Sequence, residues 1–300
     1  MKALLFVLGL IGLSISPLQN DPAEASAAGT STYIKVPSPE MDFPIRQALV
    51  WTPPAKFGKA SDLPVVYFLH GWPGSPSAIS TAFISPLNSS FGAGAKPFVA
   101  VFPDGNSTTH LDSEWADSSD GAAMVETWII NNLIPAVEHD RLRTNTERAI
   151  AGFSMGGYGA TIIALHHPDI FSQVVSMSGY FQVDDLTGAF TDLNKVNFQD
   201  PSKFLNISRK LRWYLTEGTR ENDNLVSGQA ASWSKKLIKA GASVRVRYLT
   251  GGHYYSVAAT TIPDLTSWLK WNTSGSSYPY NGISNQGSSN ESSTQTLNQH

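Results

Sequence analysis

Residues 148 to 160 read Arg-Ala-Ile-Ala-Gly-Phe-Ser-Met-Gly-Gly-Tyr-Gly-Ala, and at their centre Gly152-Phe153-Ser154-Met155-Gly156 matches G-x-S-x-G. This feature constrains the fold most, because it needs a strand that turns sharply into a helix with the serine hydroxyl held above the sheet. A Cβ at either flanking glycine position is expected to collide with that turn. Arg148-Ala149-Ile150-Ala151 is a short apolar run suited to a buried strand, and the stretch from Tyr158 to His167 is helical in pattern and closed by Pro168. Ser154 is therefore the candidate nucleophile.

A serine hydroxyl needs a base to take its proton. Of the seven histidines, His70 stands at a strand end, His110 in a polar loop and His139 after a helix. His166 and His167 close a helix, where a cation favours the dipole, and His300 lies in the tail. His253 fits best. It follows the alternating, β-branched run Val244-Arg245-Val246-Arg247-Tyr248-Leu249 through Thr250-Gly251-Gly252 and precedes a helical pattern. That placement sets an imidazole on a loop above the sheet edge where open α/β sheets bind ligands. It also comes after the serine, as the chain order serine, acid, histidine requires.

The acid is expected between them, beyond the strand Leu211-Arg212-Trp213-Tyr214-Leu215-Thr216. Glu217 precedes the turn glycine and stands too early, while Glu221 and Asp223 both fit. Asp223 is favoured and Glu221 is the alternative; Asp223 also suits the N-cap of the helix that follows. Such an acid holds the histidine tautomer and stabilises the imidazolium without taking the proton. Val65 to Leu69 is an apolar strand running into His70-Gly71-Trp72-Pro73-Gly74. An oxyanion hole is expected from the backbone N–H groups of Trp72 and Met155.

With these residues assembled, the chain resembles the esterase family that includes esterase D, feruloyl esterases, siderophore esterases and mycolyltransferases. Its landmarks are His70-Gly71, Val101-Phe102-Pro103-Asp104-Gly105, Glu126-Thr127, Leu133-Ile134-Pro135, the Ser154 elbow and Gly251-Gly252-His253. The resemblance spans roughly residues 31 to 271. It implies an α/β-hydrolase fold and an acyl-enzyme mechanism, with an acid about as far before the histidine as Asp223 is before His253. Two extra residues between Gly218-Thr219 and Asp223 depart from that pattern and keep Glu221 open. The segment Ser113 to Ser118 resembles the family's loop beside the acyl pocket, so Trp115 and Asp117 are candidate substrate contacts, with loop structure as the other reading.

Alternation of strand and helix patterns argues a mostly parallel sheet covered on both faces. Strands are expected near 32–37, 46–51, 65–69, 98–102, 148–153, 173–177, 211–216 and 244–249. Helices are expected near 121–139, 155–167, 224–240 and 256–270. Residues 180–207 are irregular, suited to a short lid or pocket wall. Three domain-level segments follow: a signal peptide over 1–27, an esterase domain over 31–271 and a disordered Ser/Asn/Gln-rich tail over 272–300.

Met1-Lys2 and the apolar run from Ala3 to Ile15 fit a signal peptide cleaved after Ala25 or Ala27; an uncut N-terminal anchor is the alternative. The run is short for a stable membrane span, and the reading is a secreted enzyme. Sequons at Asn88, Asn106, Asn206, Asn272 and Asn290 mark glycosylation sites if the chain passes through a eukaryotic secretory pathway. A net charge of −3 without a basic patch argues against nucleic acid as a partner. No cysteine is present, and no residue cluster has metal-ligand spacing, so neither metal nor cofactor is expected. The function expected is hydrolysis of a small-molecule or carbohydrate-linked carboxylic ester, with acyl or hydroxycinnamoyl esters as candidate substrates. Acyl transfer on the same fold is the alternative, and a non-catalytic binding relative a remote one. Oligomeric state is left open.

Overall fold

A computed structural model describes residues 28–39, 42–183, 188–222 and 224–272. The signal-peptide reading, and the tail reading beyond Asn272, lie outside these residues. Among them, eight strands form one sheet in the order β1-β2-β4-β3-β5-β6-β7-β8. The first two, β1 (Thr30–Pro37) and β2 (Ile45–Thr52), are antiparallel, and β2 joins β4 (Val99–Pro103) antiparallel. The remaining pairings are parallel and link β3 (Val65–Leu69), β5 (Arg148–Phe153), β6 (Gln173–Met177), β7 (Arg212–Gly218) and β8 (Ser243–Leu249). This is the α/β-hydrolase fold read from the sequence.

Strand side chains alternate between two separate cores, as the period of two demands. Val65, Tyr67 and Leu69 of β3 enter one core, together with Trp128, Tyr158, Ile162 and Trp233. Val66 and Phe68 enter the other, with Ile79, Phe83, Leu87, Ile262 and Leu265. Every residue of β3, β4, β5 and β6 is buried. Their near-continuous apolar runs are those of a parallel sheet clothed on both faces.

One helix escapes the sequence pattern. Between β3 and β4 lies α1 (Pro76–Gly92), with Pro76 in its first turn and Ser75 as N-cap accepting from the Ala78 amide at 3.2 Å. Its many serines and internal Pro86 hide it, but Ile79, Phe83 and Leu87 recur every four residues and pack on the sheet. The expected helix near 121–139 is composite (α2): α-helical turns at Val125–Trp128 and Ile134–Val137 flank a π segment, Ile129–Leu133. The helix after the serine, α3, runs Met155–His166.

The irregular stretch before β7 contains two short helices, α4 (Leu193–Phe198) and α5 (Leu205–Ser208). It docks on α3, where Tyr158 donates to the Gln199 carbonyl at 2.6 Å and His166 Nε2 faces the Phe198 carbonyl at 2.9 Å. After β7 comes α6 (Gln229–Lys239), shorter than expected at its start. Its first amides are met by Glu217: the Gly228 and Ala230 N–H groups donate to its carboxylate at 2.7 and 2.9 Å. The final pattern divides into α7 (Tyr255–Ala259) and α8 (Ile262–Trp268), broken ahead of Pro263. No helix among the described residues is long and apolar enough to cross a membrane.

Candidate active site

The turn from β5 into α3 has little free volume. A Cβ built on Gly152 would lie 1.9 Å from the Gly156 carbonyl oxygen, and one on Gly156 would lie 2.2 Å from that of Leu69. No side chain fits at either place, which accounts for both motif glycines. Ser154 itself has φ 56° and ψ −121°, in a region that an L-residue enters at a cost of about 1–3 kcal/mol. Its amide is tied to the Met177 carbonyl at 2.9 Å, and its own carbonyl accepts from Gly157 at 2.8 Å. Neighbouring bonds thus hold the strained residue in place. Ser154 is also the one partly exposed residue in an otherwise buried run from Arg148 to Leu165.

Ser154 Oγ lies 2.8 Å from His253 Nε2, and His253 Nδ1 lies 3.0 Å from Glu221 Oε2. With its N–H directed at the carboxylate, the imidazole keeps Nε2 as an acceptor for the serine proton. Phe153 packs against the imidazole with ring centroids 4.6 Å apart, which further fixes the ring plane. The Glu221 side chain is 1% exposed against 24% for His253. A buried carboxylate thus backs a solvent-reachable imidazole.

Of the two carboxylates that the sequence leaves open, Glu221 stands beside His253. Asp223, the carboxylate favoured from sequence, lies outside the described residues, and the geometry brings forward the alternative, Glu221. The reason is the early docking of the loop after β7. Thr219 and Arg220 donate backbone bonds to Leu249 and Gly251 at 2.7 and 2.8 Å. These bonds lay the acid loop along the histidine loop at once, so Glu221 reaches Nδ1 two residues before Asp223. At the start of α6 the N-cap is Gly228, and Glu217 accepts from its amide and from that of Ala230.

The loop after β3 closes over the elbow. A Cβ on Gly71 would meet the Ser154 Cβ at 3.0 Å, so the backbone there passes very close to the serine. The Gly71 amide donates to the Tyr255 hydroxyl at 2.8 Å and is occupied. His70 is fully buried; its Nδ1 faces the Gly71 carbonyl at 2.9 Å while its Nε2 accepts from the Gly105 amide at 3.2 Å. Those partners place the ring N–H on Nδ1. His70 is therefore a brace for this loop. Trp72 follows directly, 48% exposed, and Met155 opens α3. Their amides are the two that sequence reasoning assigned to the oxyanion hole.

Trp115 is not brought to the surface of the site. Trp115 is fully buried, donates its indole N–H to the His70 carbonyl at 3.0 Å and fills the space beside Gly105 and Gly159. Asp117 accepts from the amide and hydroxyl of Thr127 at 3.0 and 2.6 Å. Trp115 therefore supports the loop and its substrate-contact reading is corrected, whereas Asp117 stays partly exposed while tied to Thr127. The remaining histidines among the described residues have their own partners. His110 faces Asp120, His139 faces Asp140, and His166 and His167 share Glu126 at 2.8 and 2.9 Å. His166 lies in the last turn of α3 and His167 is its C-cap, as expected, and both also meet this shared carboxylate.

Sequence reasoning missed Ser178 and Tyr255. Ser178 donates to Glu221 Oε1 at 2.6 Å, and Tyr255 holds the Gly71 amide. Neither belongs to a motif; only the meeting of separate loops reveals them.

Comparison with known proteins gives the family and the fold. The family model described as "Putative esterase" matches residues 46–268. An esterase of Mycobacterium tuberculosis is 26% identical over 227 residues, 64% of this chain and 49% of that protein. The chain thus spans about half the length of the curated relatives it matches. Among solved structures, a ferulic acid esterase superposes with a TM-score of 0.70 at 20% identity, covering 81% of this chain and 98% of that one. An S-formylglutathione hydrolase from Agrobacterium tumefaciens gives 0.66 at 15% identity, covering 80% and 94%. These likenesses are of fold. With most of the sheet, the serine elbow and the histidine loop inside the matched residues, the chain belongs to the Putative esterase family.

Proposed function

We propose that this chain is a serine carboxylic-ester hydrolase working through an acyl-enzyme on Ser154. The observation that carries the reading is the unbroken relay from Ser154 Oγ to His253 Nε2 at 2.8 Å and from His253 Nδ1 to Glu221 at 3.0 Å. Ser154 Oγ attacks the ester carbonyl as His253 takes its proton, and Glu221 stabilises the resulting imidazolium. The amides of Trp72 and Met155 receive the oxyanion, and the amino end of α3 adds a favourable dipole. The tetrahedral intermediate collapses, His253 protonates the departing alcohol, and water repeats the sequence on the acyl-enzyme.

The substrates proposed are acyl or hydroxycinnamoyl esters of carbohydrates. Trp72 and Tyr254, 48% and 66% exposed, adjoin Gly71 and His253 on the two loops that meet at Ser154. Exposed rings so placed suit a planar aryl group or a sugar face. Secretion is part of the same proposal and rests on the apolar run after Lys2; the amino terminus of the secreted protein tests it.

A fluorophosphonate probe should label the wild-type enzyme and leave Ser154→Ala unlabelled. Labelling that persists in the variant would overturn the nucleophile assignment. A panel of short acyl, long acyl and hydroxycinnamoyl esters then tests the substrate class. Hydroxycinnamoyl esters should give the highest kcat/KM, and Trp72→Ala should raise their KM more than that of an acetyl ester.

A further inference from the structure

A glutamate carboxylate reaches farther than an aspartate and has one more rotatable bond, so it needs more to hold it still. Here the far oxygen, Oε1, has two donors: the Ser178 hydroxyl at 2.6 Å and the Gly218 amide at 3.2 Å. Only the second comes from the acid's own loop. Ser178 sits immediately after β6, its amide fixed to the Thr216 carbonyl of β7 at 2.8 Å. The hydroxyl is thus carried at the ends of two paired parallel strands, β6 and β7, while the glutamate rides on a loop.

The backbone at Ser178 is unusual. Its φ is +47°, in the left-handed region that glycine adopts freely and other L-residues adopt at a cost. Ser178 is also 4% exposed. A serine in this conformation gives the turn nothing that glycine would not, but it sends a hydroxyl to the buried carboxylate. A donor to a charged acceptor makes a strong, directional bond. With Oε1 pinned from two sides, Oε2 is left in one orientation, facing His253 Nδ1 at 3.0 Å.

We propose that Ser178 is a positioning residue for the proposed hydrolysis, acting on the reaction only through the orientation of Glu221. The inference rests on the reading of Ser154, His253 and Glu221 given above. The hydroxyl supports the carboxylate in its ionised form and fixes its plane, so that the imidazolium formed in the transition state meets a preorganised charge. Ser178 touches neither the serine nor the ester in this scheme.

The test is a double-mutant cycle on an activated aryl ester, which keeps weak variants measurable. Ser178→Ala and Ser178→Gly are each made in the wild type and in Glu221→Gln. In the wild type each should lower kcat about tenfold to a hundredfold with KM nearly unchanged, the size expected for losing one bond to a charged group. In Glu221→Gln the same changes should alter kcat less than about twofold, because the group through which Ser178 acts is already disabled. Glycine suits the left-handed turn, so Ser178→Gly should melt no lower than wild type and carries the test if the alanine variant folds poorly. An equal loss in both backgrounds, a loss borne by KM, or wild-type turnover in both variants would overturn the inference. Each of those results leaves Ser154-dependent turnover intact; loss of dependence on Ser154 would instead remove the reading beneath it.

Discussion

Glu221 Oε2 and His253 Nδ1 stand 3.0 Å apart, although 32 residues separate them in the chain. What brings them together is the backbone stitching between the loops after β7 and β8. The Thr219 and Arg220 amides bond to Leu249 and Gly251, and a Cβ on Gly218 would lie 2.7 Å from the Gly251 carbonyl oxygen. The acid is thus chosen by loop docking, which composition and spacing do not report.

The first prediction ranks the two carboxylates. Glu221→Gln should lower kcat by roughly two to four orders of magnitude with KM little changed, since the imidazole loses its orienting charge while the pocket stays intact. Asp223→Asn should leave kcat within about threefold of wild type. Steady-state kinetics on one soluble ester decide it, and the reverse ranking would return the role to Asp223.

Trp115 supplies the second prediction. Its indole N–H holds the His70 carbonyl and its ring fills a buried space, so its loss acts on stability and on the oxyanion loop rather than on substrate binding. Trp115→Phe removes the donor and leaves the carbonyl unpartnered, at a cost of about 1–3 kcal/mol. Trp115→Ala should cost about 3–5 kcal/mol. Thermal melting reads both. KM for a series of esters differing only in the acyl group should move in parallel, whereas a substrate contact would change their order.

Much of the architecture was legible because local signals agreed with the tertiary arrangement. The continuous apolar runs Val65–Leu69 and Val99–Pro103 point directly to their strands, and the two motif glycines are explained by contacts of 1.9 and 2.2 Å. Helix α1 was not legible, since Pro86 and its serines mask an apolar stripe that only packing makes evident. The site divides in the same way. Ser154 and His253 sit in motifs with local geometric demands. Ser178, Tyr255 and the choice of Glu221 depend on which loops touch, and Trp115 reads as a substrate contact from the resemblance of its loop, which does not report how deeply its ring is buried.

The third prediction concerns acid stability. Glu126 is buried, and burial alone would raise its pKa; the bonds from His166 and His167 outweigh that and lower it to about 2. A carboxylate with its folded pKa below the unfolded 4.5 contributes stability that is fully present above pH 4.5. That contribution disappears as pH falls towards 2, and a drop of this size amounts to roughly 3 kcal/mol. Chemical denaturation of wild type and Glu126→Gln across pH 5.5 to 2.5 should show a shallower pH dependence in the variant over this interval. Equal slopes would mean that Glu126 is not the group whose protonation weakens the fold.

The fourth prediction tests a charge far from the site. The Glu138 side chain is fully buried beneath the sheet edge, where Arg148 Nε and Nη2 meet its two oxygens at 2.7 and 2.9 Å. The Arg143 amide and the Tyr67 hydroxyl donate to the same carboxylate at 2.7 and 3.0 Å. Burial, with the Glu138 charge beside it, pushes the Tyr67 phenol well above its usual range, so the tyrosine remains a donor at any working pH. Glu138→Ala would leave buried Arg148 without its counter-charge and strip partners from Tyr67 and the Arg143 backbone. Breaking such a network from one side costs about 3–5 kcal/mol. For a domain of this size that is a fall in Tm of roughly 6–20 °C. Because the cluster lies at the end of β3 away from Ser154, kcat at a temperature where the variant is folded should match wild type. A variant that melts normally would show that the arginines find other partners when the carboxylate is gone.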